Sequence, residues 1–151
     1  KRGAGSEERA AVKPGDSAEL SRKFTASDIA DFARLTGDTN EIHLSKNAAL
    51  AAGFEGGPVV HGVLTLGLLS AVMGTVMPGP GTIYMAQEIK FLAPAFAHEL
   101  ITAKAEVTGL HKRKPWVAFV STTAFAGDKQ LVAGQATVYL PWMAPPKQQP
   151  K

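Results

Sequence analysis

The feature that most constrains the fold is an apolar run of 19 residues, 59–77, with the sequence VVHGVLTLGLLSAVMGTVM. A run of this length could just span a bilayer. It carries His61 and three glycines, however, and no aromatic belt flanks it. We therefore interpret it as a buried helix and expect no membrane span. A helix that is apolar on all sides must be covered on most of them.

The segments around this helix show a different periodicity. Apolar and polar residues alternate over residues 83–91, 101–108, 115–126 and 130–140, and a short strand is indicated at 18–24. This alternation is typical of strands, and short links between consecutive strands favour an antiparallel meander. Two shorter helices are predicted at 25–37 and 45–52 from their capping residues and terminal glycines. The pattern predicts an α+β fold in which one antiparallel sheet curls around the long apolar helix.

Length and composition limit the classes of protein to consider. A chain of 151 residues suits one domain. We expect a flexible leader at 1–15, the domain at 16–141 and a Pro-rich, disordered tail at 142–151. There are no cysteines, which excludes disulfides and Cys-based zinc sites. A net charge of +3 is too small for an obligate nucleic-acid binder, yet it suits anionic ligands.

The stretch LTGDTNEIH, residues 35–43, holds the first candidate site. Asp38 and His43 are five residues apart, a spacing that brings two side chains together on neither a helix nor a strand. Gly37 and Asn40 are turn residues, however, and a turn could swing His43 back toward Asp38. A carboxylate and an imidazole that converge can hold and deprotonate water, with Asn40 orienting one of them. The alternative is that Asp38 and Asn40 only cap the turn.

A second candidate lies at His61-Gly62, where the apolar helix begins. Free N–H groups at a helix N-terminus carry partial positive charge, so Gly62 N–H could stabilise negative charge on a carbonyl oxygen. Alternatively Gly62 only permits close packing, and His61 by itself suggests a packing or capping role.

The basic residues Lys112, Arg113 and Lys114 at a predicted turn could meet coenzyme phosphates or an acidic carrier protein, or be merely solvated. The four histidines show no metal-binding spacing, so no metal is expected.

These motifs together resemble a known family. Phe32, Leu35-Thr36-Gly37-Asp38, Asn40 and Ile42-His43 match the signature of the MaoC-like (R)-specific enoyl-CoA hydratases, also called hydratase 2. The stretches GFEGGPVVHGVL, MPGPGTIYMAQEIKF and GQATVYLP are similar in order and spacing. The resemblance covers roughly residues 14–141, and GLLSAVMGTVMPGPG also resembles the mitochondrial 3-hydroxyacyl-thioester dehydratase type 2 branch. One departure is Glu41, where the family usually has proline; it loosens the loop and adds a charge beside the site.

The resemblance implies a fold, a site and a reaction. The fold would be a single hot-dog domain that forms a homodimer by joining sheets edge to edge. Asp38 and His43 would be the catalytic pair, supported by Asn40, and Gly62 N–H would polarise the thioester carbonyl. Ser70, Met73 and Val138 are expected, by position, to line the acyl pocket. The reaction would be reversible hydration of trans-2-enoyl thioesters to (R)-3-hydroxyacyl thioesters in fatty acid metabolism, with CoA or acyl carrier protein as donor and no further cofactor.

Two other functions stay open at this point. A hot-dog thioesterase would hydrolyse the same thioesters, and a non-catalytic module would only bind them.

For the compartment, the dehydratase-like stretch and the first residue, which is not Met, favour a mitochondrial matrix protein without its transit peptide. A bacterial cytoplasmic enzyme is the alternative.

Overall fold

A computed structural model describes residues 9–146 of the chain. The elements run, in chain order, as β1 (Ser17–Lys23), α1 (Ala26–Thr36), α2 (Glu41–Leu44), α3 (Lys46–Ala51), α4 (Gly62–Thr75), β2 (Ile83–Phe91), β3 (Leu100–His111), β4 (Lys114–Ala126), β5 (Lys129–Tyr139) and a 3-10 turn at Pro141–Met143. The predicted strands and helices are all present. The short helix α2, just before the second predicted helix, was not predicted.

Helix α1 delivers the chain to the candidate site. Thr25 caps its start, because the Thr25 side chain accepts from the Asp28 N–H and the Asp28 carboxylate accepts from the Thr25 N–H. Gly37 ends the helix with φ of 80°, a left-handed angle that glycine adopts without strain. The sharp exit at Gly37 places Asp38 in a turn rather than on the helix, as predicted.

The apolar run forms a helix shorter than predicted. Residues 59–61 are extended, with Val59 bridged to Phe96, and α4 itself spans 14 residues. No helix within residues 9–146 is long and apolar enough to cross a membrane. The α4 residues buried against the sheet recur every three or four positions and are Thr65, Leu68, Leu69, Val72 and Met73. The opposite side is left open, since Val63 is 51% exposed and Ser70 is exposed too.

The sheet wraps around α4 with the order β1-β3-β4-β5-β2, all pairs antiparallel. Helix α4 contacts β1, β2, β3 and β4. The expectation of a hot-dog domain is thus confirmed, whereas the four-strand meander is wrong: β2 pairs with β5, and only β3, β4 and β5 form a meander. The reason is the link at 92–99, which is no tight turn. It is anchored by hydrogen bonds from Val60 N–H to Ala95 O and from His98 N–H to Phe24 O, which carry the chain to the β1 side.

Both predicted terminal segments have ordered parts. Of the predicted leader, residues 9–15 are described; Val12 is buried in the core, and the Arg9 guanidinium stacks over the Trp142 ring. Of the tail predicted to be disordered, residues 142–146 are described: Trp142 and Met143 belong to the 3-10 turn, and Ala144, which follows it, is buried. Packing of Trp142 against the core explains that order. Residues 1–8 and 147–151 lie outside the described part of the chain.

Candidate active site

The turn after α1 brings Asp38 and His43 together. His43 Nε2 lies 3.9 Å from Asp38 Oδ2, which is too long for a direct hydrogen bond. The Asp38 side chain is 46% exposed and that of His43 is 11% exposed, so the carboxylate is open to a ligand while the imidazole is held in place. A gap of this size can be bridged by one water that hydrogen-bonds to both groups.

A main-chain carbonyl sets the tautomer of His43. His43 Nδ1 lies 2.7 Å from Val59 O, and because a carbonyl only accepts, Nδ1 carries the proton. In the neutral form of the imidazole this tautomer places the lone pair on Nε2, the nitrogen nearest the Asp38 carboxylate. Val59 N–H in turn donates to Ile42 O, so the N–H and the C=O of Val59 are both hydrogen-bonded to residues of α2. This arrangement prepares His43 to accept a hydrogen bond from water.

Asn40 organises the loop between the two catalytic candidates. Its side chain accepts from Ile42 N–H and so caps α2, while its own N–H donates to Asp38 Oδ1 at 3.3 Å. The short helix α2 then turns His43 back toward Asp38. The structure thus places Asn40 beside both members of the pair, where it supports the loop through its cap and its main chain.

His61 lies immediately behind the pair. It is 1% exposed, and its ring stacks on His43 with centroids 3.8 Å apart and an interplanar angle of 22°. His61 Nε2 lies 3.1 Å from the main-chain oxygen of Asp38, to which it must donate. His61 Nδ1 is buried and has no partner within residues 9–146.

Asp38, His43 and His61 are close enough to be considered as metal ligands, since each can offer one ligand atom within 4.8 Å of the others. The geometry does not suit chelation. A metal lies near the plane of each imidazole that binds it, and two nearly parallel stacked rings share no such position between them. His61 Nε2 is also already bonded to the Asp38 carbonyl. The arrangement favours a water held by Asp38 and His43.

Gly62 opens α4 at the edge of a cavity of about 500 Å³. Its N–H is in the first turn of a 14-residue helix, where no earlier helical carbonyl is available to accept it. The residues that line the cavity are Asp38, His43, Phe54, Val59, Val60, His61, Gly62, Val63, Thr65, Phe91, Leu92, Ala93, Pro94, Ala95, Leu131 and Val132. A mostly apolar cavity with the Asp38–His43 pair and the N-terminus of α4 at its wall suits an apolar chain attached to a polarisable carbonyl.

The structure does not bring every predicted site residue to this cavity. Ser70, Met73 and Val138 are absent from its lining: Ser70 is exposed on α4, while Met73 and Val138 are in the core. The basic residues Lys112, Arg113 and Lys114 are exposed at the β3–β4 turn. The cavity lies at the opposite end of that hairpin, and β3 with its 12 residues is roughly 35 Å long. Within one chain the basic turn is therefore not part of the wall of this cavity.

Most of the lining residues were not predicted as site residues, and Phe91, Thr65 and His61 show why. Phe91 and its neighbours leave the end of β2, and nothing in their local pattern distinguishes them from other strand-end residues. Thr65 was assigned to the apolar helix, although a polar residue in the middle of such a run is a usable signal. His61 was interpreted as a packing or capping residue; its position next to Gly62 could have linked it to the site.

The comparisons with known proteins agree with this geometry. Residues 9–125 match the model of the MaoC like domain. The chain is 42% identical over 130 residues to an (R)-specific enoyl-CoA hydratase of Rhodospirillum rubrum, and the aligned region covers 86% of this chain and 89% of that protein. It is 40% identical to the (R)-specific enoyl-CoA hydratase of Aeromonas caviae over 86% of this chain and 96% of that one. The solved structure of an (R)-hydratase from A. caviae involved in PHA biosynthesis superimposes with a TM-score of 0.82, at 39% identity, over 86% of this chain and 98% of that chain. With most of its length matched at this identity, the chain belongs to the MaoC-like family.

Proposed function

We propose that the protein catalyses the reversible hydration of trans-2-enoyl thioesters to (R)-3-hydroxyacyl thioesters. The observation that carries the proposal is the 3.9 Å gap between His43 Nε2 and Asp38 Oδ2, open to a cavity that also holds Gly62. The relatives from R. rubrum and A. caviae carry the name of this activity. A further relative, from Methylorubrum extorquens, is named a 3-hydroxybutyryl-CoA dehydratase, which is the reverse direction.

The reaction begins with one water held between the two side chains. The water donates one hydrogen bond to Asp38 and one to the lone pair of His43 Nε2. As its oxygen bonds to C3 of the enoyl group, Asp38 takes one proton and the other remains on the new hydroxyl. The electron pair of the double bond moves toward the thioester, and the carbonyl oxygen of the thioester becomes negative. Gly62 N–H and the α4 N-terminus stabilise that charge. The proton then returns from the Asp38–His43 pair to C2, which restores the starting state of the enzyme.

We propose that this chemistry uses no metal and no redox cofactor. Addition of water changes the overall oxidation state of neither partner, and the thioester carbonyl itself accepts the developing charge. Polarisation by one N–H at a helix terminus replaces a metal in this scheme.

Asp38→Asn tests the proposal with crotonyl-CoA as substrate. The amide cannot take the proton from water, so kcat should fall by about 10²-fold or more. Asp31→Asn is the matched control, because Asp31 is an exposed α1 carboxylate whose contact is an ion pair with Arg34. The control should keep the kcat of the unchanged protein. If Asp38→Asn keeps near-normal kcat, the assignment of the base is wrong.

The two alternatives predict different products from the same thioesters. A thioesterase would release the free CoA thiol, whereas hydration removes the enoyl absorbance and leaves the thioester intact. A binding module would bind crotonyl-CoA and change neither signal. A positioned pair and a free N–H on one cavity favour hydration over both alternatives.

We propose CoA as the carrier of the substrate. The relatives above 35% identity that span most of this chain are named for CoA thioesters. A mitochondrial 3-hydroxyacyl-[acyl-carrier-protein] dehydratase of Arabidopsis thaliana is 29% identical over 86% of this chain and 78% of that protein. Hydration rates on matched enoyl-CoA and enoyl-carrier-protein substrates of several chain lengths would decide between the donors. A higher kcat/KM with the carrier protein would overturn the choice.

We also propose that the protein is a homodimer that pairs through β2. This strand is an edge of the sheet, with its outer N–H and C=O groups available for pairing, and Ile83 and Met85 on it are 41% and 58% exposed. The open side of α4, with Val63 exposed, would be covered in the same interface. Light scattering should give twice the chain mass, and Met85→Lys should lower it toward one chain. A monomer at micromolar concentration would contradict the proposal.

The mitochondrial matrix stays our proposal for the compartment, resting on the dehydratase-like stretch that ends in MPGPG. The R. rubrum and A. caviae relatives have higher identity than the plant mitochondrial one, and they favour the bacterial alternative. Imaging of the natural full-length protein with a fluorescent tag would distinguish a mitochondrial from a cytoplasmic location.

A further inference from the structure

We infer that His61 is a positioning residue that fixes Asp38 and His43 relative to each other. The inference rests on the proposed hydration reaction and adds a residue to it that does not itself touch the reacting atoms. Three contacts carry the inference: the ring stack on His43, the hydrogen bond to the Asp38 main chain, and the covalent link to Gly62.

The hydrogen bond restrains Asp38. The Asp38 turn is exposed, and its other hydrogen bonds are local: Asp38 N–H donates to Thr36 Oγ1 at 3.2 Å, Thr39 N–H to Gly37 O at 3.0 Å, and Asn40 N–H to the Asp38 carboxylate at 3.3 Å. His61 Nε2–H, from a side chain that is 1% exposed, joins this turn to the buried start of α4. A donor on a rigid, buried group limits how far the Asp38 carbonyl can move.

The stack restrains His43. His43 is held at Nδ1 by Val59 O, but a single hydrogen bond to one ring nitrogen still permits some rotation of the ring about its Cβ–Cγ bond. The His61 ring at 3.8 Å and 22° blocks this rotation on one face. Phe32 also packs against His61, with ring centroids 4.7 Å apart and an interplanar angle of 57°, and this contact limits how far the His61 ring can move.

The protonation of His61 also fits a positioning role. Because the Asp38 carbonyl accepts from Nε2, the neutral ring carries its proton there and Nδ1 holds a lone pair. Nδ1 is closed off, with no partner among residues 9–146. A proton-transfer group would need access to substrate or water through that nitrogen, whereas a neutral restraint does not. The buried, unpartnered Nδ1 is a polar cost that a merely structural apolar residue would avoid.

Matched substitutions at this position separate the contacts. The amide nitrogen of glutamine in His61→Gln lies near the position of imidazole Nε2 and can still donate to the Asp38 carbonyl. His61→Asn has the same chemistry but is one methylene shorter and cannot reach that oxygen. His61→Phe keeps a ring against His43 without the donor. Val72→Ala is the control for stability, because Val72 is fully buried on α4 and does not line the cavity.

The test measures kcat and KM with crotonyl-CoA beside the melting temperature of each variant. We expect kcat of His61→Asn and His61→Phe to fall on the order of 10²-fold with KM changed only a few-fold, since misplacement of catalytic groups by about 1 Å has this effect. His61→Gln should retain at least about tenfold more kcat than His61→Asn, the equivalent of one hydrogen bond. Val72→Ala should lose melting temperature but keep kcat at the assay temperature.

Two outcomes would overturn the inference. One is near-normal kcat in His61→Asn or His61→Phe. The other is a loss of kcat that follows melting temperature alike in all the variants, including Val72→Ala. If His61→Phe does not fold, the comparison of Gln with Asn still decides the matter, because these two differ only in reach. Failure of the proposed function is recognised separately, since the unchanged protein would then not hydrate crotonyl-CoA.

Discussion

Gly62→Ala tests how closely the cavity wall is packed around the proposed N–H donor. A Cβ built on Gly62 would lie 2.6 Å from Phe91 Cε1, 2.8 Å from Cδ1 and 3.2 Å from Cζ. Carbon atoms in contact prefer about 3.5–4.0 Å, so the Phe91 ring must retreat by about 1 Å. It can do so, because Phe91 is 54% exposed.

The expected result is a protein that folds but reacts slowly. Overpacking costs about 1–3 kcal/mol, and alanine in place of glycine in a helix returns up to about 1 kcal/mol, so the melting temperature should fall only modestly. The displaced Phe91 ring lies on the same cavity as Asp38 and His43. A shift of 1 Å beside the reacting carbonyl should lower kcat/KM by up to about 10²-fold.

The assay is a double-mutant cycle of Gly62→Ala and Phe91→Ala, with kcat/KM measured on crotonyl-CoA. Removing the Phe91 ring makes room for the new methyl group, so Gly62→Ala should cost at least about tenfold less in the Phe91→Ala background. Gly74→Ala on the same helix is the control, because its added Cβ meets nothing within 4 Å. All variants are compared at the same oligomeric state. An equal loss in both backgrounds would refute the steric argument.

Two further predictions concern the edge strand β2. Gly134→Ala should destabilise the fold by roughly 3 kcal/mol or more, as measured by chemical denaturation. The added Cβ would lie 2.0 Å from the main-chain oxygen of Glu88, so β2 would have to move away from β5. Gly109→Ala is the control and should not destabilise the fold, because the nearest neighbour of its added Cβ is 4.0 Å away. Burial raises the pKa of Tyr84 to about 12 from 10.0. Because this pKa is raised in the folded state, the contribution of Tyr84 to the free energy of unfolding is complete below pH 10 and is lost as pH rises through 12. The free energy of unfolding should fall over that window in the natural sequence and less steeply in Tyr84→Phe; an equal slope would refute this.

Local patterns in the sequence predicted the elements well and the strand order poorly. Thr25, Asp28 and Gly37 determine α1 through contacts within the helix itself, so its boundaries can be derived from sequence. The partner of β2 depends instead on where residues 92–99 are anchored, and those hydrogen bonds join the link to Val60 and Phe24 far along the chain. Pairing also requires the close approach at Gly134, which no period-two pattern reveals.

The candidate site likewise has local features that the sequence predicts and long-range contacts that it does not. The turn that joins Asp38 to His43 is a local feature, and its residues predicted it. The tautomer of His43 depends on Val59 O, 16 residues away, and the stack depends on His61. The lining of the cavity comes from strand ends and links that converge only in the folded chain. The predicted acyl-pocket residues Ser70, Met73 and Val138 came from positions in a resemblance, and side-chain direction on α4 and β5 decides what such positions face.

Glu41 is the departure from the family pattern, and its position explains why the loop tolerates it. Glu41 is the first residue of α2, with Asn40 as the N-cap. Proline is favoured at that position because the first helical N–H has no helical acceptor, and an acidic residue is favoured by the helix dipole. Asn40 has φ −54° and ψ 125°, the extended conformation that a following proline requires. Either residue therefore permits the same turn.

Glu41→Pro should consequently fold and keep the separation of Asp38 and His43. By reducing the freedom of the unfolded chain it should raise the free energy of unfolding by about 0.4–1 kcal/mol, with kcat within a few-fold of the natural sequence. Thr39→Pro is the matched contrast in the same loop, because Thr39 N–H donates to Gly37 O at 3.0 Å and proline would remove that bond. It should lower both stability and kcat. A large loss of kcat in Glu41→Pro would show that the Glu41 carboxylate, and not only the main chain of this turn, takes part in the reaction.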